Sequence, residues 1–193
     1  KPGKVARLVA SDLTTESVTL RWTKVSKADG YEIYAYDSSR KQYVKAGTTN
    51  ASNNTFTVTK ISGKKLVSGT KYSFKVNAYK TVDGKKVTGD SSAVLNTATR
   101  PSQTRLTVKA GTNKAILSWE KVRGAKGYEV YASTSKTTGF KQVKNITSQS
   151  TVQYTKTGLK AKKTYYFKVK AYTVVDGKKI HSSFSSVKSV KVK

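Results

Sequence analysis

Cysteine and methionine are absent from this 193-residue chain, proline occurs twice, and histidine occurs once, at His181. Without cysteine there is neither a disulfide framework nor a thiolate metal site. With a single histidine, neither a serine–histidine nor a multi-histidine site is expected within the chain. No apolar run nears the roughly 18 residues that a membrane-spanning helix needs, so no transmembrane segment is expected. Walker patterns and glycine-rich phosphate loops are missing. Acids are scarce, 10 against 38 lysines and arginines, and only six of those cations are arginine; the formal net charge is +28. The start carries no signal-peptide pattern, as expected of a mature or excised fragment. These absences remove most catalytic chemistry, and no enzyme activity, cofactor or metal is expected.

What is abundant points to β structure. There are 22 valines, 48 serines and threonines, and 12 tyrosines. Branched and aromatic side chains suit a pleated, half-buried surface. High net charge with little apolar content marks disorder, but here the apolar residues alternate with period two, the pattern of strands with one wet face.

An internal repeat sets the organisation. Leu20-Arg21-Trp22-Thr23-Lys24-Val25 matches Leu117-Ser118-Trp119-Glu120-Lys121-Val122, and Gly30-Tyr31-Glu32-Ile33-Tyr34-Ala35 matches Gly127-Tyr128-Glu129-Val130-Tyr131-Ala132, both 97 residues on. The run from Tyr72 to Tyr79 matches Tyr165 to Tyr172, and Asp83-Gly84-Lys85-Lys86-Val87 matches Asp176-Gly177-Lys178-Lys179-Ile180, both 93 residues on. The second copy is therefore four residues shorter between Tyr128 and Leu159, in a loop. Two domains follow, 1–100 and 101–193, with Pro101 biasing Arg100 towards an extended linker. In the first, strands are expected at 6–13, 17–23, 31–37, 43–48, 55–59, 72–79 and 92–99. Seven short strands without a helical period make an antiparallel sandwich. The Asp-Gly pairs mark tight hairpins, since a type I′ turn needs positive φ at both central residues. Trp22 and Trp119 are expected to anchor the cores, with Tyr31 and Tyr128 beside them and Tyr72 and Tyr165 on the long strands.

In these residues the sequence resembles a tandem of fibronectin type III domains. The family pattern is a Trp on the second strand, a Gly-Tyr-x-Val opening the third, and a Leu six residues before a Tyr on the sixth. Here these are Trp22, Gly30-Tyr31-Glu32-Ile33, and Leu66 with Tyr72; then Trp119, Gly127-Tyr128-Glu129-Val130, and Leu159 with Tyr165. The resemblance covers essentially the whole chain. It implies an all-β fold of two seven-stranded Ig-like sandwiches, with sheets ABE and C′CFG. It also implies that Tyr72 and Tyr165 are tyrosine corners, each hydroxyl bonded to backbone just upstream. The proline usual between that Leu and Tyr is missing, with Ser68 and Ala161 near its place, and there is no Arg-Gly-Asp. The phrasing Gly-Tyr-Glu-Val-Tyr-Ala-Ser-Thr-Ser and the Asp-Gly-Lys-Lys hairpin resemble repeats of secreted Gram-positive bacterial proteins. That implies an extracellular or wall-associated monomeric module, in a parent chain whose other domains are its neighbours.

Paired carboxylates were the remaining route to acid–base chemistry. Glu120 and Glu129 are expected to point outward from different sheets and to pair with lysines, and His181 to be a surface side chain. Charge is the unusual feature: residues 1–100 hold 18 cations and 7 acids, and residues 101–193 hold 20 and 3. Alternation places Tyr34, Tyr36 and Lys75 on one outer sheet face of the first unit, and Tyr131, Tyr166, Lys168 and Lys170 on that of the second. Three uses of such a face compete: a solvated sheet on which tyrosines pack against lysine stems, a site for an anionic cell-wall polymer or polysaccharide, and nucleic acid. With six arginines there is little for bidentate base reading, so no sequence-specific nucleic-acid binding is expected. The leading expectation is a spacer and surface-interaction module; the alternatives are a polymer- or carbohydrate-binding module using the Lys/Tyr face, and accessory domains of a secreted enzyme.

Overall fold

In the computed structural model, which describes residues 1–193, the chain forms two compact units, Lys1–Thr99 and Arg100–Lys193. The first contains β1 (Ala6–Leu13), β2 (Val18–Thr23), β3 (Gly30–Asp37), β4 (Gln42–Asn50), β5 (Thr55–Val58), β6 (Lys60–Ile61), β7 (Lys64–Lys65), β8 (Lys71–Val82), β9 (Lys85–Thr88) and β10 (Leu95–Ala98). The second contains β11 (Leu106–Gly111), β12 (Lys114–Trp119), β13 (Gly127–Ser133), β14 (Lys141–Ile146), β15 (Gln153–Thr157), β16 (Thr164–Val175), β17 (Lys178–His181) and β18 (Lys188–Lys191). No helix forms anywhere in the chain.

Each unit is a three-stranded sheet facing a larger one, all pairings antiparallel. The first unit has β1-β2-β5 and β10-β8-β3-β4, with β9 also on β8; the second has β11-β12-β15 and β14-β13-β16-β17, with β18 also on β16. The seventh strand position is thus two short segments rather than one strand. Between them a serine hydroxyl takes over ladder duty. Ser92 Oγ accepts from the Val76 amide at 3.0 Å while the Ser92 amide donates to the Val76 carbonyl at 2.9 Å. Ser185 does the same at Val169. A serine that satisfies a buried amide lets the strand break without leaving an orphan donor.

The inward faces are what the alternation dictates. Trp22, Tyr31, Ile33, Phe74, Val76 and Ala78 fill one core, and Trp119, Tyr128, Val130, Phe167, Val169 and Ala171 fill the other. Each tryptophan meets its tyrosine near edge-on, with centroids 5.2 Å and 5.4 Å apart. Tyr72 and Tyr165 are only half-buried, at the rim of the cores. Their hydroxyls accept from the Val67 and Lys160 amides at 2.8 and 3.1 Å, which holds the ring ends at the surface. Tyr31 and Tyr128 act likewise towards the Val25 and Val122 amides, six residues upstream, at 2.8 and 3.0 Å.

Both Asp-Gly pairs are two-residue turns with positive φ at each residue, 48° and 71° at Asp83-Gly84, 47° and 76° at Asp176-Gly177. At Gly127 the requirement is space: a Cβ there would strike the Ile146 carbonyl and lie 2.7 Å from the Tyr172 hydroxyl. The length difference between the repeats also has a place. Seven residues separate Val58 from Leu66, where two separate Lys156 from Leu159; of this difference of five, the second copy regains one between Val130 and Tyr154, which leaves the net four. The extra residues form the β6–β7 hairpin of the first unit alone.

Candidate functional site

The outer face of the larger sheet is built from residues between the core positions. In the first unit β3 contributes Glu32, Tyr34 and Tyr36, and β8 contributes Lys75 and Tyr79, with Tyr34 opposite Lys75 in the ladder. In the second, β13 contributes Glu129 and Tyr131, and β16 contributes Tyr166, Lys168, Lys170 and Tyr172, with Tyr131 opposite Lys168. The third and sixth strand positions are therefore neighbours, and the expected tyrosines and lysines do share one face in each unit.

That face is organised around one carboxylate per unit. Glu32 is 4% exposed; Lys45 and Lys86 reach its Oε1 at 2.8 and 3.0 Å, and the Tyr34 hydroxyl donates to Oε2 at 3.0 Å. Lys86 also lies 4.1 Å above the Tyr79 ring, and Lys75 4.1 Å above Tyr43. Glu129, 5% exposed, holds Lys179 at 2.8 Å on Oε1, with Lys170 and His181 Nε2 each 3.3 Å from Oε2 and the Tyr131 hydroxyl donating at 3.0 Å. Lys168 sits between two phenyl rings, 4.3 Å from Phe140 and 4.0 Å from Phe184, and Phe184 meets Tyr131 edge-on at 5.0 Å. A cation on an aromatic face keeps its attraction to the ring quadrupole while shedding part of its water.

Burial pushes both glutamates up, but the surrounding ammonium and hydroxyl donors outweigh it and bring each to about 2. The same contact works in reverse on the partners. Burial and then the Glu129 carboxylate raise Tyr131 to about 12, and Lys179 is raised chiefly by its hydrogen bond to Glu129. A carboxylate held ionised near 2 has no proton to give at neutral pH and is a weak base, so neither glutamate is tuned for proton transfer there.

This geometry corrects the expectation for His181 and adds detail to the others. Glu129 points to the outer face but is buried by its cations; Glu120, on the strand end of the other sheet, is exposed and 4.0 Å from Arg105. His181 is not a free surface side chain: it packs on Tyr172 and against Glu129. Tyr34, Tyr131 and Lys170 are tied into the clusters, Tyr166 is half-buried, and Tyr36 is the tyrosine of the face that stays open, at 39% exposure. The role of Glu32 and Glu129 as hubs escaped sequence reasoning. Its signal was there: acids are rare in this chain, yet one stands at the same place in both copies of Gly-Tyr-Glu.

A second feature lies at one end of the first unit, between the β3–β4 turn and the β6–β7 hairpin. It is an open groove of about 340 Å³. Asp37 braces it: Oδ1 accepts from the Ser39 amide and hydroxyl at 2.9 and 2.6 Å, and Oδ2 from the Ser62 hydroxyl of the hairpin at 2.6 Å. Those serine hydrogen bonds hold the Asp37 carboxyl well below the usual carboxylate range.

The family model for the fibronectin type III domain matches residues 3–93 and again 99–187. Among solved structures, a two-domain fibronectin type III segment of chicken tenascin is similar over 100% of both chains, with 17% identity and a TM-score of 0.55. The FN1-FN3 domains of chicken CNTN1 are similar over 100% of this chain and 68% of that one, with 16% identity and a TM-score of 0.49. No curated protein matches the chain.

Proposed function

Because this chain belongs to the fibronectin type III family in both of its repeats, we propose that it is a non-catalytic spacer and surface-interaction module of a larger secreted or cell-wall-associated bacterial protein. Domains of this family are typically structural or interaction modules. The observation that carries the reading is the distribution of charge. Each sheet-face carboxylate is shared by two lysines, so the two clusters together keep only +2 of the net +28, and the rest of that charge is spread over the remaining chain. Such a field draws in polyanions without a dedicated pocket, and salt screens it with a Debye length of about 8 Å at physiological ionic strength. Anionic wall polymers are the partners of that chemistry at a Gram-positive surface.

The alternative, a dedicated polymer or carbohydrate site on the Lys/Tyr face, is weakened by how that face is used: Lys75 lies over the Tyr43 ring, Lys168 over Phe184, and Lys170 between the Glu129 carboxylate and the Tyr131 ring. Retention of the chain on purified cell wall tests the reading. Retention at about 20 mM salt that is lost by about 500 mM is expected, because screening shortens the field between those limits. Retention unaffected by salt, or none at low salt, would overturn it.

A further inference from the structure

The groove of the first unit is a built feature, walled by a hairpin that the second repeat lacks. Three observations set it apart. The ladder between β3 and β8 stops at Ala35–Phe74, whereas the equivalent ladder of the second unit runs one pair further, to Ser133–Tyr166. The sheet is therefore open where Tyr36 and Ser73 face each other. The inserted β6–β7 hairpin forms the opposite wall, and Asp37 clamps it there through Ser62. In the second unit Thr134 stands at the position of Asp37, so the clamp belongs to the first unit alone. A hairpin held over a gap by a buried carboxylate is costly to keep as mere loop length, because ordering each residue costs about 1–2 kcal/mol.

The lining has two characters. Tyr36 presents an accessible ring, and Tyr72 and Val67 add apolar surface beside it. Lys64, Lys65 and Lys71 stand exposed on the rim, and none of them is in an ion pair. The one carboxylate in the lining, Asp37, is ionised and turned to the serines and to Arg40, 3.7 Å away, and forms no ion pair with those lysines. Ser38 adds a hydroxyl at the mouth. The volume lies at the small end of the roughly 300–1,000 Å³ typical of ligand sites.

We propose that this groove is a binding subsite for an acidic sugar, a uronic acid within a glycan chain. The apolar face of the sugar ring would lie on Tyr36, its carboxylate would meet Lys64 and Lys71, and its hydroxyls would be served by the turn serines. A ring is required by the tyrosine and an anion by the lysines. This goes beyond the diffuse attraction proposed above, because it is one place, in one of the two repeats, with a shape requirement.

Titration calorimetry of the full chain with tetragalacturonic acid, at about 150 mM salt where long-range attraction is screened, tests it. One saturable site per chain is expected. Tyr36→Ala, which changes no charge, weakens it at least about fivefold, and Tyr36→Phe restores it. Lys64→Gln with Lys71→Gln weakens it at least about tenfold, while Lys109→Gln with Lys114→Gln changes it less than about twofold. Thermal melts of each variant matching the parent show that the fold is intact. Three outcomes overturn the proposal: equal losses for the two lysine pairs, which leave only the diffuse field; equal binding of the neutral cellotetraose; or binding of tetraglutamate as tight as that of the sugar acid. Wall retention lost in salt together with no tetragalacturonate site would sink the groove and leave the spacer reading standing.

Discussion

Glu129 shows how a single residue organises a surface. Two lysines and the Tyr131 hydroxyl converge on its two oxygens from β13, β16 and β17, with His181 Nε2 3.3 Å away, so removing its charge leaves Lys170 and Lys179 facing one another without a counterion. Breaking a buried ion pair from one side costs about 3–5 kcal/mol. Glu129→Gln is therefore expected to lower the stability of the second unit by about 3 kcal/mol, read as a shift in urea midpoint. The pH dependence has the sign of a depressed carboxylate. Folded Glu32 and Glu129 titrate near 2 against an ordinary 4.5, so their contribution is complete above the ordinary value and is lost as pH falls from there towards 2. Each accounts for roughly 3 kcal/mol of acid destabilisation. Glu129→Gln should flatten that limb for the second unit and leave that of the first; unchanged acid limbs in both would refute the hub. In the core, Trp119→Ala is expected to cost about 3–5 kcal/mol, as large aromatic truncations do. Denaturation like that of the parent protein would show that Trp119 does not carry its core.

At the scale of the element, alternation and turn chemistry made most of the fold legible. The expected 31–37 is β3 to within one residue, and 6–13 is β1, because period-two burial and flanking turn residues leave little freedom. The Asp-Gly hairpins followed from the positive φ that the turn demands. The break in the last strand was not legible, since a serine that replaces a backbone acceptor looks like any other serine in a chain with 22 of them. The hairpin β6–β7 was visible only as a length difference, because three lysines, a serine and a glycine in six residues give no apolar period. The tyrosine–lysine face was legible as a set of positions but not as a set of bonds: which lysine reaches which carboxylate is decided by strand order, which a local pattern does not contain. Asp37→Ala probes the one long-range link that pins the hairpin. It removes the acceptor for Ser39 and Ser62 and should lower the stability of the first unit. It should also speed amide exchange of Leu66, whose N–H is bonded to the Thr59 carbonyl across the hairpin at 3.0 Å. Unaltered exchange at Leu66 would mean that Asp37 does not hold the hairpin.

For the whole molecule, the proposed attraction to polyanions follows from total charge, the outer sheet faces being engaged internally. A field effect depends on how much charge is removed and little on where, whereas a site depends on place. The direct measurement is the affinity for teichoic acid against salt for Lys168→Gln with Lys170→Gln, and for Lys109→Gln with Lys114→Gln. Lys168 and Lys170 lie on the face, and Lys109 and Lys114 are exposed on the other sheet. The account predicts equal losses for the two pairs, a steep and parallel fall with salt, and no loss for Tyr166→Ala. A larger loss for the face pair, or a loss at Tyr166, would contradict it.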